Sequence, residues 1–396
     1  MSPLLEAPAA TTGGGGLLGA AVVGGGFMAA VHTRAARTAR ARLVGALTST
    51  PEGSQRAAAA LGHERAYGSL EELLADDAVD VVHVCTPNAL HAEQVLAAVA
   101  AGKHVVCEKP LATSPEEASA VVDAAAAAGV VVAVPFVYRF HPMVREARAR
   151  VRSGEVGRVL TVAGSYLQDW MLSPEDDDWR VDPERGGPSR AFADIGSHLV
   201  DLLETVTGDR VSSLAATLST VHPHRAQHRD VATEDAAAVV VRTAGGAVGT
   251  LLVSQVAPGR KNRLHLEVAG SAESLAFDQE DPERLWVGRR SGSLLVPRDA
   301  DQLAPDAARL CAVPAGHPQG YQDAFDAFVA DAHAAARGAS PEALPLAADG
   351  ARAVDLTAAV LASHRSGGWV DVPAPRTAPP APTASNAAPT PAGAAS

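Results

Sequence analysis

Between residues 17 and 135, short apolar runs recur along the chain: "LLGAAVV", "RLVGAL", "VDVVHVC", "HVVCE" and "VVVAV". Ala-rich segments with apolar positions at helical spacing separate them. Strands alternating with helices at this interval predict a parallel α/β sheet. From about 158 to 297 the runs become "VLTVAGSYL", "AAAVVVRT", "AVGTLLVSQV" and "RLHLEVAG", joined by glycine or polar turns with one clear helix between them. That pattern predicts a second, mostly antiparallel sheet. Two helices follow, around 319–336 and 347–365, and "GWVDVP" forms a last short strand. The expected division is a disordered N-terminus at 1–16, a first domain at 17–139, a second at 140–346 and a disordered tail at 373–396. The tail is rich in Pro, Ala, Ser and Thr and has too little apolar surface to order itself.

In "AVVGGGFMAA" a G-x-G-x-x-A spacing, Gly24, Gly26 and Ala29, follows a strand and opens a helix. In that context the first glycine permits a tight turn, the second lets backbone approach a pyrophosphate, and the third small residue lets helix pack on strand. The helix N-terminus adds donors and partial positive charge. A dinucleotide site is expected. The second strand normally ends in an acid that takes the adenosine ribose; here it ends in Thr48, Ser49 and Thr50, with Arg56 a helical turn beyond. The choice between NAD and NADP stays open. "CTPNALH" places Thr86, Pro87 and Asn88 at another carboxyl strand end, where such sheets bind ligands. Asn88 serves there as a ligand contact, a helix cap, or both.

The remaining composition narrows the function. Net charge is -12, and no basic block interleaved with aromatics is present, which argues against a nucleic-acid surface. No apolar run reaches the roughly 20 residues needed to span a bilayer, and the start lacks a signal-peptide pattern. Cys85, Cys107 and Cys311 are widely spaced and contain no CxxC pair, which fits a reducing cytoplasm and no thiolate metal site. His222, His224 and His228 have no second ligand cluster to support a metal role.

Only Lys103, Lys109 and Lys261 among the 33 basic residues are lysines, so Lys109 in "HVVCEKPLA" invites a specific reason. Farther on, "ADIGSHLVDLLETVTG" carries Asp194 and His198 four apart, on neighbouring positions of one helix face. Together with the glycine motif, "CTPNALHAEQVLAAVAAGKHVVCEKPLA" and the D-x-x-x-H helix resemble the Gfo/Idh/MocA family of nicotinamide-dependent sugar and polyol oxidoreductases. The likeness spans roughly residues 17 to 372. "SYLQDW" and "WRVDP" look similar to its pyranose-oxidising members. This chain departs from the family in having Ala29, no ribose acid, and Val137 before Tyr138 and Arg139.

The resemblance implies an N-terminal Rossmann domain, with helix 347–365 packing back on it, and a C-terminal α/β domain built on an open, mostly antiparallel sheet. It implies that Lys109, Asp194 and His198 converge where nicotinamide meets substrate. There a base must remove the hydroxyl proton and a cation must stabilise the alkoxide. His198 is expected as base, Lys109 as cation and Asp194 as orienting group, with the first two roles exchangeable. Cofactor contacts are expected from Gly24, Gly26, Phe27, Met28, Ser49, Thr86, Pro87, Asn88, His91, Glu108, Lys109 and Arg180. Substrate contacts are expected from Lys109, Tyr166, Trp179, Asp194 and His198. Relatives also include ligand sensors and NAD-dependent, redox-assisted glycosidases; the presence of all three catalytic residues favours a dehydrogenase. An exposed sheet in the second domain predicts a homodimer or homotetramer.

Overall fold

The computed structural model describes residues 16–376. The expected disordered ends therefore lie mostly outside the described residues. The first residues of the tail are held: Arg352 donates to the Pro373 carbonyl at 2.6 Å, and Arg376 pairs with Asp355 at 3.1 Å.

Six parallel strands form the first sheet: β1 (Gly19–Val23), β2 (Arg42–Leu47), β3 (Arg65–Ala66), β4 (Val81–Val84), β5 (His104–Cys107) and β6 (Val132–Ala133). Their order, β3-β2-β1-β4-β5-β6, is that of a Rossmann sheet. β1, β4 and most of β2 and β5 are buried, as strands covered on both faces must be, and this explains their unbroken Ala/Val character. The connecting helices are α1 (Phe27–Thr38), α2 (Pro51–Leu61), α3 (Leu70–Leu74), α4 (His91–Ala100) and α5 (Pro115–Ala128). Thr50, Ser69 and Ser114 cap α2, α3 and α5 through their hydroxyls, satisfying backbone donors that the first turn leaves unpaired.

The second sheet has nine strands: β7 (Val159–Leu167), β8 (Val211–Ser219), β9 (Ala236–Thr243), β10 (Val248–Ser254), β11 (Arg263–Gly270), β12 (Ser274–Asp278), β13 (Arg284–Arg289), β14 (Gly292–Pro297) and β15 (Val370–Asp371). Its pairings are antiparallel except β7 with β10. α6 (Pro142–Arg152) and α8 (Ser197–Thr207) cover its inner face, with short helices α7 (Pro183–Gly186) and α9 (Pro305–Ala308) in the connections. Alternation in β9 shows the two faces: Ala237, Val239 and Val241 are buried, while Ala238, Val240 and Arg242 are exposed.

Two late helices close the structure. α10 (Tyr321–Ala336) puts Phe325, Phe328 and Val329 into a core with Val31 and Ala35 of α1. It therefore covers the first sheet, although sequence order placed it with the second domain. α11 (Ala347–Ser366) shares Ala351 and Val354 with the first domain's core and Leu356 and Val360 with the second's. The two domains are thus joined by shared apolar packing as well as by the chain.

Candidate active site

The carboxyl ends of β1, β2, β4 and β5 open onto a cavity of about 1600 Å³, whose opposite wall comes from the second domain. Every residue singled out above for cofactor, substrate or catalysis lines this one space, from Gly24 and Ser49 at one end to Tyr166, Trp179 and His198 at the other.

The glycine motif forms its cradle. Gly24 has φ +121°, and a Cβ there would stand 2.5 Å from the Cys85 carbonyl oxygen, so only glycine fits. Gly26 has nothing within 4 Å of where a Cβ would be, and it precedes α1 with no side-chain cap. The first donors of α1 are therefore left for a ligand. Ala29 is fully buried beside Val22, Ala46 and Ala58, bringing helix and strand close. These residues fit the pyrophosphate of a dinucleotide.

The loops after β4 and β5 are tied together by His91. Its ring bridges the Pro110 carbonyl at 2.7 Å and the Thr86 carbonyl at 2.9 Å. Burial lowers its pKa, against the pull of those two carbonyls. Thr86 donates to Gln94, and Asn88 does not cap the following helix: its amide donates to the Gly186 carbonyl at 2.8 Å, joining the first domain to α7.

Glu108, at the end of β5, is buried. One carboxylate oxygen meets His32 Nε2 at 3.1 Å, and the other accepts from the Lys109 backbone N–H at 3.1 Å. Burial works to raise its pKa, but His32 and Lys109 hold it below the usual carboxylate value. Behind it runs a line of buried rings: His32 Nδ1 lies 3.0 Å from His83 Nδ1, and His83 Nε2 lies 3.1 Å from His333 Nε2 on α10. The Lys109–Pro110 peptide bond is cis.

Lys109 turns across the cavity to Asp194, donating to its carboxylate at 2.5 Å and to its backbone carbonyl at 3.0 Å. Asp194 does not cap a helix; it lies within a π-helical turn, Phe192–Gly196, that leads into α8. Turns of this kind recur at functional sites. Its second oxygen accepts from Gln255 Nε2 at 2.8 Å, and Arg180 Nε lies 3.9 Å from the first. Burial opposes ionisation, but Lys109 and Arg180 hold the carboxyl down to about 2. His198, in the first turn of α8, stands edge-on to Phe136 and Tyr138. Burial, followed by the Lys109 ammonium, pushes its imidazole down to about 3, and its Nδ1 is buried without a hydrogen-bond partner.

A polar network floors the far end. Tyr138 and Tyr166 share a 2.5 Å hydrogen bond; Tyr166 donates to Asn262, which also accepts from Gln168; and Trp170 donates to Gln168. Arg180 stacks 4.4 Å over Trp179. The Tyr166 hydroxyl is thus already engaged by protein partners, whereas Trp179 and Arg180 line the cavity half-buried. His222, His224 and His228 do not converge as ligands: His222 bonds the Leu172 carbonyl and His228 pairs with Asp177 at 2.6 Å.

Sequence reasoning did not find His32, Gln255 or Asn262. His32 reads as an ordinary helical residue, and Gln255 and Asn262 flank strands without motif context. A hint lay in Gln255 immediately following the apolar end of β10.

Comparisons with known proteins give the family of the chain. Residues 18–136 match the oxidoreductase family with an NAD-binding Rossmann fold, and residues 144–276 match the GFO/IDH/MocA C-terminal domain. Levoglucosan dehydrogenase of Pseudarthrobacter phenanthrenivorans is 32% identical over 354 residues, covering 82% of this chain and 87% of the relative. A solved levoglucosan dehydrogenase in complex with NADH and levoglucosan aligns at TM-score 0.85 with 32% identity, covering 90% of this chain and 100% of that one. The crystal structure of an oxidoreductase domain protein from Kribbella flavida aligns at TM-score 0.84 with 36% identity, over 90% and 100% of the two chains.

Proposed function

The chain belongs to the Gfo/Idh/MocA family of NAD-binding oxidoreductases, and from this we propose that it oxidises a hydroxyl carbon of a pyranose or cyclic polyol, or reduces the corresponding carbonyl. The observation that carries the reading is that Lys109, Asp194 and His198 face the same cavity as the glycine cradle. A nicotinamide dinucleotide bound in that cradle supplies the hydride acceptor or donor.

The remaining chemistry falls to side chains. Asp194 fixes the Lys109 ammonium through two hydrogen bonds, which commits Lys109 as a donor and suits it to steady an alkoxide. His198 is held in its neutral form across the neutral range, the form an acceptor of the hydroxyl proton must have. We assign His198 as acceptor and Lys109 as cation on the geometry: both face this space, and Lys109 is held in place by Asp194. Gln255 holds the second oxygen of Asp194 and so acts as a positioning residue.

The test is a panel of pyranoses and cyclic polyols scored at 340 nm with NAD and NADP. Turnover of at least one of them is expected; saturable dinucleotide binding without net turnover on any would move the assignment to ligand sensing or to a redox-assisted glycosidase.

The reading includes assembly and location. The outer face of the second sheet exposes Val240, Val248 and Leu252 at 43, 49 and 47%, a patch of the kind that pairs between subunits. A dimer or tetramer is therefore expected in light scattering at micromolar concentration, and Leu252→Glu should shift it toward monomer. A monomer peak for the unsubstituted chain would dismiss this assembly. A cytoplasmic setting is supported by three unbonded cysteines, Cys85, Cys107 and Cys311. Among the described residues no helix is long and apolar enough to cross a membrane.

A further inference from the structure

The cavity extends past the glycine cradle to the end of β2. There α2 lines it with Gly53, Arg56, Ala57 and Ala60, positions spaced as one helical face. Three of the four are glycine or alanine, so the only long side chain on that face is the arginine. No carboxylate from β2 or α2 lines this end of the space. Thr48 and Thr50 are already engaged: the Thr48 hydroxyl donates to the Thr50 carbonyl at 3.2 Å, and the Thr50 hydroxyl accepts from Gly53 N–H at 3.0 Å. The Ser49 hydroxyl and the Arg56 guanidinium have no hydrogen-bond or ion-pair partner among the described residues.

A dinucleotide whose pyrophosphate sits over Gly24 and Gly26 brings its adenosine ribose to the end of the second strand. A carboxylate there would accept from the 2′-hydroxyl of NAD and repel the 2′-phosphate of NADP; a guanidinium attracts the phosphate and barely distinguishes the hydroxyl. We infer that this site selects NADP(H) over NAD(H), with Arg56 and Ser49 as the residues that determine the choice. Arg56 supplies a planar pair of N–H donors to the phosphate oxygens, Ser49 supplies a hydroxyl donor, and the small residues around Arg56 leave room for the adenine. The inference rests on the dinucleotide reading of the cradle and goes beyond it, because the family match specifies only NAD binding.

The test is isothermal titration calorimetry of the full chain with NADPH and with NADH, with no sugar present. NADPH should bind about 10- to 100-fold tighter than NADH, the difference expected from charge-assisted hydrogen bonds to one phosphate. Arg56→Ala should weaken NADPH by about 10-fold or more while leaving NADH within about twofold. Ser49→Asp should reverse the preference. Raising salt should weaken NADPH more than NADH, since only the former carries the extra phosphate charge. Equal or tighter binding of NADH by the unsubstituted chain would overturn the preference while leaving the dinucleotide site standing. Equal weakening of both cofactors by Arg56→Ala would overturn the role of Arg56. Failure of both cofactors to bind would overturn the inference together with the reading beneath it.

Discussion

Replacing Lys109 with alanine should lower turnover by about a thousandfold while reduced-dinucleotide binding falls by less than about tenfold. The ammonium is fixed by Asp194 through two contacts, so its position is set before substrate arrives, and removal takes away charge aimed at the reacting oxygen. The cradle formed by Gly24 and Gly26 is built from other strands and is untouched. Lys109→Arg should not restore the rate, because a planar guanidinium cannot occupy the same point between carboxylate and carbonyl. A second readout separates electrostatics from misfolding. Lys109 is one of the charges holding Asp194 down to about 2 and His198 down to about 3. Without it, both should titrate higher, measurable by NMR of the His198 ring. Turnover above a tenth of wild type would remove Lys109 from the chemistry.

The second large effect is loss of stability in acid. Burial is the largest cause holding His63, His141 and His333 at about 4 and His198 at about 3, and it holds His83 well below its ordinary value. Each folded-state pKa lies below the unfolded value near 6.5. The stability these neutral rings contribute is therefore complete above about pH 6.5 and is lost as pH falls toward the folded values. Each ring contributes at most about 1.4 kcal/mol per pH unit in that window. Five together reach several kcal/mol between pH 6.5 and 5, comparable to the roughly 5–15 kcal/mol that holds a domain together. Urea midpoints measured from pH 8 to 4.5 should be flat above 7 and fall steeply below 6. A constant midpoint down to pH 5 would show that these rings protonate without unfolding.

The parts of the molecule that were legible in the sequence are those where backbone geometry restricts the residue. Gly24 was readable because no side chain fits a φ of +121° against Cys85, and Gly26 because an open approach to the start of α1 recurs at the same spacing. The two sheets were readable because buried parallel strands and half-buried antiparallel strands need different apolar periods. Lys109, Asp194 and His198 were named through family likeness, and their convergence needed the fold. What stayed hidden depends on contacts between distant segments. Gln255 reaches Asp194 only because β10 ends beside the π-helical turn, and Asn88 meets Gly186 only because α7 folds over the β4 loop. α10 packs on α1 through side chains nearly 300 positions away in the chain, which no local pattern records.

The buried line from Glu108 to His333 also constrains where hydrogens can reside. A carboxylate oxygen can only accept, so His32 must carry its hydrogen on Nε2. A set in which Nδ1 of His32 accepts from His83, and Nε2 of His83 accepts from His333, satisfies every contact along the line. The unpartnered His333 Nδ1 is left as a bare lone pair. The opposite set would bury an N–H there with no acceptor. The three rings therefore share a single tautomeric register, set at one end by the carboxylate beside the cradle and at the other by a helix from the far end of the chain. A substitution at His83 therefore takes the buried partner from both His32 and His333, whereas one at His333 leaves only His83 Nε2 without its partner.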